Sequence, residues 1–123
     1  MSDQSYSRGM RVRREVLGEE YVDRAVEQST ALTEPFQELI TRYAWGGVWA
    51  REGLDRKTRS AITVAVLTAL GRERELALHI QAARRNGLSE AEIGEVLLHT
   101  GIYAGLPAAN AAYAVAQREL EDE

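Results

Sequence analysis

Apolar residues along this chain recur every three or four positions, and no window alternates with period two. That pattern predicts helices and no strands. Phe36, Leu39, Ile40 and Tyr43 mark one helix from Pro35 to Trp45. Ile62, Val64, Ala65, Val66, Leu67 and Leu70 mark another over about 56–70; it is apolar nearly all round, which predicts a central position. A short basic helix over 7–16 and a mostly polar one over 20–31 precede them. Residues 73–85, 89–100 and the alanine-rich stretch after Pro107 complete the set.

The breaks between these segments carry their own chemistry. Gly18 and Gly71 mark helix ends, and Asn86-Gly87 reads as a left-handed cap. Gly46-Gly47 is expected to break the third helix, leaving a connector anchored by Val48 and Trp49. Asp55 is a good N-cap, and Ser89 with Glu92 makes a capping box. Pro35 and Pro107 both suit the first turn of a helix, where the missing N–H does no harm. The expected fold is all-α: a single-domain bundle of six to seven helices spanning 1–123, with residues 1–7 flexible.

Composition narrows the function. A chain of 123 residues suits one domain. It contains no cysteine, which removes disulfides, thiolate metal sites and thiol catalysis together. Two histidines are too few for an all-histidine metal site, so no metal is expected. Fifteen basic against nineteen acidic side chains give a net charge of −4, and the arginines are scattered among acids, which argues against nucleic-acid binding. No run of about 20 apolar residues offers a membrane span. The opening MSDQSYSRGM has no apolar core of a signal peptide, so a cytoplasmic location is expected.

The chemistry concentrates in RERELALHIQAARRNG, residues 72–87. On a helix, Glu75, His79, Ala82 and Ala83 share one face, flanked by Leu76 and Leu78. A carboxylate and an imidazole one turn apart can be a plain helix pair worth about 0.2–0.5 kcal/mol. They can equally be a tuned proton-transfer pair, because burial and a neighbouring charge both move an imidazole's proton affinity. On the second reading, the small residues leave room for a ring-sized substrate.

The segments GMRVRREVLG, WGGVWAREGLDRKTRS, ELALHIQAARRNG and EIGEVLLHTGIYAGLPAANAA occur in this order, and the chain over about 8–120 resembles the 4-carboxymuconolactone decarboxylase family. Relatives in the wider alkyl-hydroperoxidase-D-like superfamily carry Cys-x-x-Cys-x-x-x-His; the matching positions here are Arg72, Glu75 and His79, so a thiol peroxidase is excluded. The resemblance implies cofactor-free decarboxylation of 4-carboxymuconolactone, a lactone dicarboxylate, to 3-oxoadipate enol-lactone in protocatechuate breakdown by the β-ketoadipate pathway. It also implies a homo-oligomer, commonly a hexamer.

Such a reaction needs oxyanion donors, a proton for carbon, and a cation for the spectator carboxylate. His79 is the leading acid or oxyanion donor, and Glu75 orients it or shuttles its proton. Arg59 offers a planar fork for a carboxylate, or is a solvated helix charge. His99, close to Tyr103, is a site residue or an interfacial one. Arg42 and Tyr103 are pocket-wall donors. Trp45 is a further candidate substrate contact, although both it and Trp49 suit core or subunit packing better. Asn110 suits a helix–helix hydrogen bond. Competing functions are a decarboxylase or hydrolase of another lactone or β-keto acid, and a non-catalytic helical oligomerisation module.

Overall fold

The computed structural model describes residues 2–121. Among them are seven α-helices and one π-helical segment, and no strand, as the apolar spacing predicts. The backbone forms two compact units, Met1–Leu54 and Asp55–Glu123.

The N-terminal unit comprises α1 (Ser2–Leu17), α2 (Glu19–Glu27), α3 (Glu34–Ile40) and the π segment (Thr41–Trp49). Helix α1 starts at Ser2, earlier than the position 7 expected for the first helix; Met1 lies outside the described residues. Gly9, Val12, Arg13, Val16 and Leu17 are buried, the i, i+3, i+4, i+7, i+8 stripe of a helix packed on one side. Helix α2 stops at Glu27, and Thr30 and Thr33 then close a turn through mutual hydrogen bonds, the Thr30 amide reaching Thr33 Oγ1 at 2.9 Å.

The glycine pair does not break the third helix. The chain continues from α3 straight through Gly46-Gly47 as a π-helix. The reason is packing: a Cβ on Gly46 would meet the Ser5 carbonyl oxygen at 2.5 Å, and one on Gly9 would collide with that of Thr41. These glycines let the α1 and π-segment backbones touch. The Arg8 Nε–H, donating to the Gly46 carbonyl at 3.0 Å, fastens the same crossing. The apolar residues that mark this helix are not buried: Phe36 and Leu39 on α3 and Tyr43 in the π segment are exposed.

The C-terminal unit packs α4 (Arg56–Leu70), α5 (Glu73–Arg85), α6 (Glu90–Ala104) and α7 (Leu106–Glu121). Its core joins Val64, Leu76, Ile80, Ala83, Leu88, Ile93, Leu97, Ala112, Val115 and Ala116. Asp55 caps α4 by accepting the Thr58 amide at 2.7 Å, and Gly71 ends it in the left-handed conformation. The capping box at Ser89 and Glu92 is formed in full. At the end of α5 the left-handed position is Gly87 alone; Asn86 keeps φ −88° and spends its side chain on a buried partner, its Nδ2 donating to Ser60 Oγ at 2.9 Å. Lys57 pairs with Glu92 at 2.9 Å, joining the starts of α4 and α6.

Two expectations about this unit change. Helix α4 is not enclosed: Ser60, Val64 and Thr68 are buried, whereas Ile62, Val66 and Leu70 form an exposed stripe. Helix α6 runs past Thr100 to Ala104, and Gly101 sits where α7 packs against it; a Cβ there would meet Ala109 Cβ at 2.7 Å. No helix among the described residues is long and apolar enough to cross a membrane.

Candidate active site

Helix α5 carries Glu73 and Glu75 in its first turn and Arg84 and Arg85 in its last, both favourable to the helix dipole. Its inner face is fixed by Leu76, Ile80 and Ala83 in the core. That rotation leaves Glu75 exposed and His79 partly buried. The His79 Nδ1 atom is sealed from solvent and has no hydrogen-bond partner. Glu75 therefore reaches the imidazole as a charge rather than as a hydrogen-bond acceptor.

Two effects compete at His79. Burial penalises the cation, and the Glu75 carboxylate favours it; burial wins and pushes the pKa from 6.5 down to about 4. The ring is neutral at pH 7. It has one N–H to donate and no excess proton to give away. Of the two roles expected of His79, acid or oxyanion donor, a neutral imidazole suits the second.

The small residues also behave differently from expectation. Ala82 and Ala83 are both at 0% exposure, so they pack tightly and do not border an open space. The cavities described in this unit are lined by other residues. One lies by Gln81, Arg84 and Leu88 at the end of α5, and two lie between α6 and α7.

Arg59 stands in the first turns of α4, partly buried, with its carbonyl accepting from Thr63 Oγ1 at 2.9 Å. His99 and Tyr103 sit together on α6, ring centroids 5.3 Å apart and planes tilted by 33°. Both are exposed, so on the single chain this pair faces solvent. Asn110 makes no helix–helix bond; it is exposed beside Leu98, Ile102 and Tyr113 at an apolar cavity between α6 and α7.

Arg42 and Trp45 belong to the N-terminal unit. Trp45 is buried against Trp49, centroids 5.2 Å apart. Arg42 is placed by three contacts: its Nε donates to Glu38 at 3.0 Å, its Nη1 to Ser5 Oγ at 3.2 Å, and its guanidinium lies 5.3 Å from the centre of the Tyr6 ring. Arg13, buried on α1, is not among the residues expected at a site. Its signal was legible in α1, where an arginine occupies a stripe position between Val12 and Val16.

A family model described as the carboxymuconolactone decarboxylase family matches residues 34–118. The chain belongs to that family. It is 49% identical to the 4-carboxymuconolactone decarboxylase of Acinetobacter baylyi, covering 98% of this chain and 90% of that protein. It is 44% identical to the nitrosuccinic acid decarboxylase of Metarhizium robertsii, covering 95% and 82%. A 4-carboxymuconolactone decarboxylase of Pseudomonas putida is 51% identical over 35% of this chain and 90% of its own sequence.

Proposed function

We propose that this chain is a carboxy-lyase that decarboxylates 4-carboxymuconolactone to 3-oxoadipate enol-lactone, without a metal or organic cofactor, in the β-ketoadipate pathway. The observation that carries this reading is the end-to-end likeness to a decarboxylase of that lactone, over 98% of this chain. The helix-borne His79 supplies a group suited to the chemistry.

In the reaction the bond from the ring carbon to its carboxylate breaks and CO2 leaves. The electron pair spreads through the ring C=C onto the lactone carbonyl oxygen. A proton then adds to the ring carbon α to that carbonyl. The conjugated lactone is the electron sink, so the protein must stabilise an oxyanion and deliver one proton. The neutral His79 ring donates its N–H to the oxyanion, and its low proton affinity keeps it in that donor form at pH 7. Glu75, exposed one turn earlier, relays the proton from solvent. Arg59 grips the spectator carboxylate with its planar fork. His99 and Tyr103 present paired polar tips from α6.

The protein acts as a homo-oligomer, a hexamer, in the cytoplasm. Exposed apolar residues support assembly: Ile62, Val66 and Leu70 on α4, and Leu98 and Ile102 on α6 with Leu106 opening α7.

A second reading keeps the reaction class and changes the acid. It is favoured by the relative named for nitrosuccinic acid, which is 44% identical over 95% of this chain. A nitro group and a conjugated lactone make the same demand: charge left by CO2 must settle on oxygen. Offering each acid to chelator-treated protein separates the readings. Loss of the lactone's ultraviolet absorbance with release of CO2 is the expected result. Robust turnover of nitrosuccinate with none of the lactone would transfer the assignment.

A further inference from the structure

The N-terminal unit contains a cavity of about 620 Å³, bordered among others by Tyr6, Met10, Arg13, Gln37, Thr41 and Arg42. Volumes of this order suit small-molecule ligands. Arg13 is the unusual member. It is 4% exposed, yet its partners are neutral: Nη2 donates to Gln37 Oε1 at 2.9 Å and Nη1 to Thr41 Oγ1 at 3.4 Å. Its Nε is buried with no acceptor. No carboxylate among the described residues pairs with it, and desolvation drives its pKa down.

A guanidinium held out of water without an anion is a costly arrangement. The two carboxylates at the cavity do not relieve it. Glu38 is engaged by Arg42 at 3.0 Å, and Glu34 is exposed, where solvent screens it. The unbalanced charge is thus the buried one, and it is positive. The cavity wall also carries Arg42, whose guanidinium is already held in place by Ser5, Glu38 and Tyr6.

We propose that this cavity binds a small carboxylate anion, with Arg13 as its charge partner and Arg42 on its wall. The carboxylate is that of a separate small acid, because the substrate's spectator group is assigned above to Arg59 on α4. The site does not rest on the proposed decarboxylation.

Succinate titrated calorimetrically into the full-length protein is the test, with two variants checked for fold by circular dichroism. Arg13→Lys keeps the charge and removes the fork. Gln37→Glu is nearly isosteric and places an anion where Arg13 already donates. Succinate should bind the native protein, roughly tenfold or more weakly in Arg13→Lys, and not measurably in Gln37→Glu, whose Tm should rise. Lost succinate binding with unchanged KM and kcat for the lactone is the expected result; a matching rise in KM would make the substrate itself the occupant and overturn the assignment to a separate acid. No succinate binding to the native protein, or equal binding in all three, overturns the proposal. Because calorimetry needs no turnover, failure of the reaction assignment leaves this result readable.

Discussion

Glu75 precedes His79 by one turn of α5, and its negative charge favours the imidazolium less than burial disfavours it. The pair is thus no surface ion pair. It is a neutral ring held beside an exposed carboxylate.

That balance fixes a pH response. The folded pKa of His79, about 4, lies below the ordinary 6.5, so the folded state binds the proton less readily than the unfolded chain. Its contribution is fully present above about 6.5 and is lost as pH falls toward 4, at most on the order of 3–4 kcal/mol. Followed by NMR, the His79 ring protons should not titrate between pH 5 and 8, whereas a midpoint near 6.5 would contradict the burial argument. Replacing Glu75 with Gln removes the one raising influence and should move the midpoint lower still.

His79→Ala should reduce turnover by about 10²–10³, the usual cost of one oxyanion donor, without dissolving the oligomer. His79→Gln, which restores an N–H near the same place, should recover part of that loss. Steady-state rates together with size-exclusion chromatography check both. Normal activity in the alanine variant excludes the donor role, and dissociated subunits would point to a structural one.

The α6–α7 crossing depends on the absence of a side chain at 101. With Ala109 Cβ only 2.7 Å from where a Cβ would stand, Gly101→Val should force the helices apart and cost about 1–3 kcal/mol, read from urea unfolding. Unchanged stability would mean that the crossing yields easily.

Asn86→Ala strips the buried Ser60 hydroxyl of its partner. The expected loss is about 1–2 kcal/mol in thermal or urea denaturation. The double variant with Ser60→Ala should be less damaged than the sum of the two single changes, because no buried hydroxyl then remains unpaired.

Several features could be read directly from the residues because their causes are local. Asp55, Ser89 with Glu92, and Gly71 act within a few positions of themselves, so their caps stand where the sequence puts them. The helical spacing of apolar residues likewise foretold an all-α chain. Gly46-Gly47 misled for the opposite reason. Its role depends on Ser5 and Thr41 as neighbours in space, which no local rule contains.

The apolar stripes of α3 and α4 show the same limit. Phe36, Leu39, Ile62 and Val66 fit a core-facing pattern, yet they are exposed on the single chain. Periodicity tells that a face is apolar, not what covers it. Arg13 errs the other way, as a charge on a core stripe whose neutral partners, Gln37 and Thr41, come from distant residues.

The sequence by itself determined the helices, most of their ends, the family likeness and the presence of Glu75 and His79 on one turn-spaced pair, because each depends on backbone preference or on residue identity. Tertiary structure alone decided that His79 is neutral, that Ala82 and Ala83 are packed rather than open, and that Arg13 is a buried cation beside a cavity. The physical reason is common to all three: desolvation and contact are set by which atoms surround a group, and those atoms come from elsewhere in the chain.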